Sequence, residues 1–220
     1  MSVREQIIDL QKCLPAGVKL VAVSKMHPAS AVEEAYAAGQ RIFGESRPQE
    51  LCAKYEALPK DIEWHMIGHL QTNKVRSIVP FVSLIHSVDS ARLLEYIDRE
   101  AARIGRVVDV LLEIFVAQEE TKHGWEEAEL TAYLQEGTWR SLKNVRFRGV
   151  MGIASLTDDR ERICREFSRL HALFVSLREE FFGTDFDTLS MGMTSDWKLA
   201  VECGSNMVRI GSRIFGDRNY

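Results

Sequence analysis

Short apolar runs alternate along this chain with longer segments whose apolar residues recur every three or four positions. The first pattern predicts buried β-strands, and the second predicts helices with one buried face. Apolar runs predict strands at 18–24, 41–44, 64–68, 82–88, 107–115, 146–154, 188–193 and 207–211. Helical spacing predicts helices at 2–12, 28–39, 48–58, 71–78, 90–105, 125–135, 157–182 and 195–203, with a last turn at 212–215.

The strict alternation of strands and helices determines the predicted fold class. Short loops between alternating elements imply parallel strands with right-handed crossovers, and about eight such units close into a barrel. We therefore predict an α/β fold, a single (β/α)8 TIM-type barrel domain over 1–220 with an N-terminal lead-in helix. An open doubly wound sheet is the alternative. It usually has a glycine-rich turn after the first strand, where this chain has Ser24, Lys25 and Met26.

Lys25 follows the first predicted strand, which is a nearly continuous apolar run from 18 to 23. Such a run is typical of a strand covered on both faces, so Lys25 is expected at the edge of a core. Desolvation there lowers the pKa of the ammonium, and a neutral amine forms an imine with an aldehyde or ketone. The alternative is that the side chain extends from the strand end to water.

Composition and charge narrow the classes of partner. The chain has 220 residues, a formal net charge of −4 and a sequence pI near 5.9. Positive and negative residues are well mixed, so neither nucleic acid nor a membrane surface is an expected partner. No apolar run approaches the length of a membrane-spanning helix, and 1–11 is unlike a signal peptide. We therefore expect a cytoplasmic protein with reduced cysteines, and a monomer because no exposed apolar heptad remains outside the predicted core.

Polar residues follow the carboxyl ends of several predicted strands, where barrel proteins place their sites. These residues are Lys25, Glu45, Ser46, His65, 190–194 and 209–212. Gly192 allows backbone to approach a ligand, and Thr194 begins a helix whose N–H groups and dipole favour an anion. Gly211 and Ser212 repeat this arrangement after the last strand. The alternative is ordinary helix capping beside a turn glycine, and only the combination with a Schiff-base lysine favours a phosphorylated aldehyde.

Arg209 alternates with Val208 and Ile210 on the last predicted strand, so its side chain points the opposite way from theirs. An arginine facing a ligand donates hydrogen bonds and keeps its own proton, so it suits a pyridine nitrogen that stays unprotonated. An unprotonated ring withdraws electrons less strongly, which disfavours carbanion chemistry. The alternative is a structural salt bridge at the barrel rim.

The remaining candidates are weaker. His65 and His69 are four residues apart, but a strand end and a glycine separate them, so no metal site is expected. The charged loop at 119–124 is interpreted as a solvated rim. The chain has no phosphate-binding loop, nucleophile elbow or His-Glu-x-x-His motif.

Several motifs, in this order, resemble those of the pyridoxal phosphate (PLP) homeostasis protein family, which is similar in fold to the barrel domain of alanine racemase. The resemblance covers nearly the whole chain. It rests on AVSK at 22–25, FGE at 43–45, HMIGHLQTNK at 65–74, ETKHG at 120–124, LSMGM at 189–193, VRIG at 208–211 and IFG at 214–216.

The resemblance also implies roles for individual residues. Lys25 is expected to carry PLP as a covalent aldimine, and Arg209 to face the pyridine nitrogen. Thr194, Gly211 and Ser212 are expected to hold the phosphate of PLP. Ser46 and Met191 are expected to line the pocket. The chain departs from the family at three positions: Ser46 replaces the usual asparagine, Pro48 replaces a less rigid residue, and Asn206 replaces the usual threonine.

None of these departures changes Lys25, Arg209 or the residues expected to hold the phosphate, so cofactor binding is expected to be retained.

The resemblance implies a protein that carries and buffers PLP and regulates its homeostasis without catalytic turnover. PLP-dependent apo-enzymes are the partners expected to receive the cofactor. A weak PLP-dependent amino-acid racemase is the alternative, with Lys25 on one face of the cofactor and Tyr220 or His65 as a second base. A Schiff-base aldolase without PLP is a third hypothesis, for which Arg209 has no use.

Overall fold

A computed structural model describes residues 1–116 and 123–216 of the chain. Its strands are β1 (Lys19–Val23), β2 (Ile42–Glu45), β3 (Glu63–Met66), β4 (Leu84–Val88), β5 (Val108–Ile114), β6 (Val145–Gly152), β7 (Thr188–Ser190) and β8 (Met207–Ile210). Its α-helices are α1 (Val3–Cys13), α2 (Ala29–Ala37), α3 (Pro48–Ala57), α4 (Val75–Ile78), α5 (Ala91–Ala102), α6 (Glu127–Glu136), α7 (Arg160–Leu177), α8 (Trp197–Glu202) and α9 (Ser212–Phe215). Short 3-10 turns cover Thr72–Lys74 and Thr138–Ser141, and a π-helical turn covers Arg178–Phe182.

The strands form a closed parallel barrel in the order of the sequence, so the predicted (β/α)8 fold is confirmed. The barrel closes between β1 and β8, with Val21 opposite Arg209. None of the helices in the two described ranges is long and apolar enough to cross a membrane.

Two hydrophobic layers hold the barrel together. The larger lies between the strands and the surrounding helices. A smaller cluster consists of Val21, Leu84, Leu111, Met151 and Met207, which alternate with the residues of the outer layer and therefore point into the barrel. By the same alternation, His86 points inward because it lies two residues after Leu84 on β4. Arg209 points inward because it lies two residues after Met207 on β8. The barrel interior therefore contains polar side chains as well.

The sequence predicts most element boundaries to within a few residues, and the exceptions have local causes. The longest helix was expected from 157 but begins after Asp159, whose carboxylate accepts a hydrogen bond from the N–H of Arg162. The helix predicted at 195–203 begins instead at Trp197, because Asp196 accepts a 2.6 Å hydrogen bond from the N–H of Met193 and closes a turn there.

Candidate cofactor-binding site

Lys25 lies two residues beyond β1 and lines a cavity of about 270 Å³ at the carboxyl end of the barrel. Ser46, His69, Glu113 and His123 line the same cavity, so residues that follow four different strands converge there. A larger hollow of about 410 Å³ at the opposite end, beside Lys19 and Glu63, contains none of the predicted site residues. The prediction that strand ends form one site at this end holds for Lys25 and Ser46.

A buried ion pair supports the backbone on which Lys25 is carried. The ammonium of Lys54, on α3, lies 2.7 Å from Glu45 Oε1 and donates a 2.7 Å hydrogen bond to the carbonyl of Ser24. The hydroxyl of Ser24 donates to the same carboxylate oxygen at 2.5 Å. Burial raises the pKa of Glu45, and the charge and hydrogen bond of Lys54 oppose that rise. The residue before Lys25 is thus fixed through both its backbone and its side chain.

The residue after Lys25 is fixed as well. Met26 has φ +65°, a left-handed conformation that is strained for a side chain of this size. Its N–H donates a 2.7 Å hydrogen bond to Glu50 Oε1, and Glu50 in turn pairs with Lys54 at 2.9 Å. One lysine therefore links both neighbours of Lys25 into a single buried network.

Sequence reasoning missed Lys54. The inward positions predicted for its helix were 51, 55 and 58, and Leu51 and Leu58 are indeed buried. Lys54 is three residues after Leu51 and four before Leu58, which is helical spacing, so its placement on the inward face could have been detected. The signal was overlooked because a lysine is rarely buried without a partner.

Arg209 is 4 % exposed and points into the barrel, as its alternation with Val208 and Ile210 predicts. One guanidinium nitrogen donates to the carbonyl of Ser190 at 2.9 Å and to its hydroxyl at 2.7 Å, and another donates to the carbonyl of Gly152 at 3.0 Å. Within the described residues it forms no ion pair, which argues against a rim salt bridge. Burial lowers the pKa of Arg209 to about 10, so it stays protonated at neutral pH.

A chain of hydrogen bonds continues from Arg209 through the barrel interior. The Ser190 hydroxyl lies 3.1 Å from His86 Nδ1, and His86 Nε2 lies 3.0 Å from His65 Nδ1. The guanidinium can only donate, so the Ser190 hydroxyl accepts from Arg209, and His86 Nδ1 lies within reach of the hydroxyl's own proton. With that proton directed to His86, His86 carries its proton on Nε2 and donates to His65, whose proton is also on Nε2. We therefore predict the same Nε2–H tautomer for both histidines.

Both histidines are neutral because they are deeply buried. Burial, with a smaller effect from the charge of Lys19, lowers the pKa of His65 to about 3. Burial also lowers the pKa of His86 well below its usual value, and His65 and Arg209 add to this effect. His65 was expected among the residues at the site opening. It lies inside the barrel instead, because its position on β3 faces inward and its ring contacts His86.

The three predicted phosphate residues lie together beside the end of β1. Thr194 Oγ1 is 3.4 Å from the Gly211 nitrogen and 3.3 Å from the Ser212 hydroxyl. A Cβ on Gly211 would lie only 3.0 Å from the carbonyl oxygen of Val23, so a larger residue would push β8 away from β1. The Gly211 N–H and the Ser212 hydroxyl both donate to Thr194 Oγ1, so an anion held here would replace that oxygen as their acceptor.

Gly192 is required by the packing of α8. It has φ +95°, and a Cβ there would lie 2.5 Å from the Cβ of Ala200. The close backbone approach to a ligand that the sequence suggests at Gly192 stays a prediction. Gly192 allows the turn that carries Thr194 to pack against α8.

Met191 and two of the sequence departures do not line the cavity. Met191 is fully buried in the hydrophobic layer outside the barrel and does not line the 270 Å³ cavity, so its place beside the cofactor stays a prediction. Pro48 is the first residue of α3, a position that suits proline. Asn206 bridges the backbone near β7, accepting from the N–H of Leu189 at 2.8 Å and donating to the carbonyl of Asp187 at 2.6 Å. Both departures therefore have structural roles.

Glu113 was also missed by sequence reasoning. It lies on β5, lines the cavity, and has one carboxyl oxygen that is buried without a hydrogen-bond partner among the described residues. Burial raises the pKa of Glu113 to about 8, and the charge of Asp89 adds to this effect while Arg209 opposes it. At neutral pH the carboxyl is therefore mostly protonated and can donate a hydrogen bond into the cavity. The charged loop at 119–122 and Tyr220 lie outside the described residues.

Fold and site together define a barrel of the alanine racemase type, and the sequence matches the alanine racemase N-terminal domain family over residues 2–219. A pyridoxal phosphate homeostasis protein of Aquifex aeolicus is 41% identical over 206 residues, covering 92% of this chain and 88% of that protein. Another, of Vibrio alginolyticus, is 38% identical and covers 96% of this chain and 92% of that protein. The chain therefore belongs to the pyridoxal phosphate homeostasis protein family, as its motifs indicated.

Solved structures agree with this assignment. PipY of Synechococcus elongatus, solved without PLP, is 40% identical, has a TM-score of 0.92, and covers 98% of this chain and 100% of that one. PipY with PLP bound has the same identity and coverage and a TM-score of 0.89. Alanine racemase of E. faecalis, at 16% identity and a TM-score of 0.76, covers 98% of this chain and 57% of that chain, and shares the fold.

The Lys54 network predicts a large loss of stability for Lys54→Met. The substitution leaves the buried Glu45 carboxylate without its counter-charge, and breaking a buried pair in this way costs about 3 kcal/mol or more. Urea denaturation measures the free energy of unfolding. Lys12→Met, at an exposed position on α1, is the matched control and is expected to cost less than about 0.5 kcal/mol. Equal costs for the two variants would contradict the network.

The interior histidines predict a loss of stability in acid. A histidine in the unfolded chain has a pKa of about 6.5, whereas His65 in the folded chain has a pKa of about 3. As the pH falls between these values, the unfolded chain binds a proton that the folded chain does not, so the free energy of unfolding decreases. His65 alone is expected to cost about 2 kcal/mol by pH 5. Imidazole ¹H–¹⁵N correlation spectra test this directly. We expect His65 and His86 to remain neutral Nε2–H tautomers at pH 5, and titration of either above pH 6 would contradict the assignment.

Proposed function

We propose that this chain binds pyridoxal 5′-phosphate, carries and buffers it, and regulates its homeostasis without catalytic turnover. The observation that carries the proposal is the fixed position of Lys25 at the cavity, between Ser24 and Met26, which are both held by the Lys54 network. Support comes from relatives named as PLP homeostasis proteins and from PipY, a structure of which has PLP bound.

Different residues of this site suit the aldehyde, the phosphate and the ring nitrogen of PLP. Lys25 supplies an amine that adds to the aldehyde carbon, releasing water and leaving an imine with Nζ. Thr194, Gly211 and Ser212 supply the converging donors for a phosphate. Arg209 supplies a buried donor for the ring nitrogen. When bound, PLP supplies an electrophilic aldehyde and a conjugated ring that withdraws electrons.

Arg209 favours binding over turnover. Its guanidinium remains protonated and is already oriented by Ser190 and Gly152, so it can donate to a ring nitrogen but cannot transfer a proton to it. A ring nitrogen that stays unprotonated withdraws electrons less strongly. The site therefore binds the cofactor without strongly activating it.

Glu113 lines the same cavity as Lys25. A racemase needs a base on the face of the cofactor opposite its lysine, and a carboxyl whose pKa burial raises to about 8 is mostly protonated at neutral pH but can exchange its proton. Glu113 is therefore the residue on which the racemase alternative depends. We further propose that the chain acts as a monomer and that PLP-dependent apo-enzymes receive its cofactor.

Lys25→Ala tests the covalent attachment. The wild-type protein with PLP is expected to show an imine absorption band, and borohydride is expected to fix the cofactor to the peptide that contains Lys25. Lys25→Ala is expected to lack both signals, and Lys12→Ala, at an exposed position, is expected to retain both. A wild-type protein that shows no band with added PLP, or fixation on another lysine, would contradict the proposal.

Thr194→Val tests the phosphate contacts. Losing one hydrogen bond to a charged group is expected to weaken PLP binding about tenfold. Binding of pyridoxal, which has the same aldehyde but no phosphate, is expected to change less than about twofold. Equilibrium titrations followed by absorbance give both affinities. An equal loss for the two ligands would place Thr194 away from the phosphate.

Proton exchange separates a carrier from a weak racemase. The PLP-loaded protein is incubated with each alanine enantiomer in deuterated water, and deuterium at the α-carbon is followed by NMR. We expect less than one exchange per protein chain, because a ring nitrogen that accepts from Arg209 stays unprotonated and withdraws electrons less strongly. Steady exchange over many turnovers that Lys25→Ala abolishes would establish the racemase alternative.

A further inference from the structure

Three side chains that follow successive strands meet at the opening of the cavity. They are His69, Asp89 and His123, which come after β3, β4 and β5. One ligand atom from each lies within 4.8 Å of the other two. We propose that they bind a divalent transition-metal ion such as Zn²⁺, Co²⁺ or Ni²⁺.

The distances are close to those of a metal site. Asp89 Oδ2 is 3.1 Å from His69 Nδ1 and 4.0 Å from His123 Nδ1. Ligand atoms that bind one Zn²⁺ at about 2.0–2.2 Å are about 3–3.6 Å apart. Both imidazoles are about half exposed, so each ring has room to turn its nitrogen toward a shared ion.

The carboxylate is oriented toward the two imidazoles. Asp89 is mostly buried, and its other oxygen, Oδ1, accepts a 3.1 Å hydrogen bond from the Ser90 hydroxyl. Ser90 is itself fixed as the N-cap of α5. Ligands held by such outer contacts are typical of metal sites. Oδ2 therefore remains directed at the histidines.

The hydrogen bond between His69 and Asp89 explains only part of this arrangement. It does not account for His123, whose Nδ1 lies 4.0 Å from the same Asp89 oxygen and whose ring stacks on His69 with centroids 3.9 Å apart. A divalent cation would bind both imidazoles and the carboxylate together, with the two rings turned out of the stack so that each nitrogen points at the ion.

The ligand set determines the class of ion. Two imidazoles and one carboxylate suit Zn²⁺, Co²⁺ or Ni²⁺, whereas Mg²⁺ and Ca²⁺ prefer oxygen ligands. Three protein ligands leave at least one open coordination position for water or for a carboxylate of a small molecule. Because His69 and His123 also line the cavity with Lys25, the ion would lie on the path by which ligands enter.

Sequence spacing did not suggest this site. It paired His69 with His65 and predicted no metal. The fold turns His65 into the barrel toward His86, and it brings Asp89 and His123 to His69 instead. The proposal does not use the contacts of Lys25, Arg209 or Thr194, so it stands or fails independently of cofactor binding.

Cobalt titration tests the proposal. The full chain without a polyhistidine tag is treated with a chelator, dialysed, and titrated with Co²⁺ with and without PLP, and the visible d–d absorption is recorded. We expect one Co²⁺ per chain, and Zn²⁺ is expected to displace it. His69→Gln, Asp89→Asn and His123→Gln are each expected to weaken binding at least about tenfold. His171→Gln, at an exposed position on α7, is the matched control and is expected to bind as wild type does.

Thermal unfolding provides a second readout that does not depend on absorbance. Zn²⁺ is expected to raise the Tm of the wild type and of His171→Gln, and to raise the Tm of the three ligand variants less. Circular dichroism without metal shows whether each variant is folded. Absence of stoichiometric Co²⁺ binding, or binding that survives all three ligand substitutions, would overturn the proposal.

Discussion

The buried ion pair between Lys54 and Glu45 is the interaction on which the geometry of this site depends. It lies beneath the turn that carries Lys25 and is linked to Ser24 directly and to Met26 through Glu50. A strained left-handed residue such as Met26 persists only where its surroundings hold it in place. Burying the charges of Lys54 and Glu45 costs free energy. In this structure the buried pair also holds the backbone on both sides of Lys25 in place.

Arg209 provides the second constraint, from inside the barrel. An arginine there needs acceptors, and Ser190 and Gly152 supply them. Hydrogen bonds connect Arg209 to Ser190, Ser190 to His86 and His86 to His65, and both histidines are neutral. The polar groups in the barrel interior therefore form one continuous hydrogen-bonded chain. Lys25 is thus positioned from α3 and Arg209 from the interior, with neither depending on the ligand.

The sequence predicts the barrel and the residues at strand ends because both follow from local patterns. Alternating strands and helices require a parallel sheet, and Lys25 and Arg209 are recognisable from the runs around them. His86 was missed because its partner Ser190 lies far away in the chain, and Glu113 because its place at the cavity follows from the closed barrel rather than from local spacing. Lys54 was missed although its helical spacing places it on the inward face of α3. Met191 lies in the outer hydrophobic layer, and its contact with the cofactor stays a prediction.

The central claim is that the Lys54 network positions Lys25 for the aldehyde. The most direct test is the equilibrium constant for imine formation between PLP and Lys54→Met, measured by absorbance under conditions in which circular dichroism shows a folded barrel. The account predicts at least about tenfold weaker imine formation than in wild type, since the turn is no longer held on either side of Lys25. Imine formation equal to that of wild type in the folded variant would contradict it.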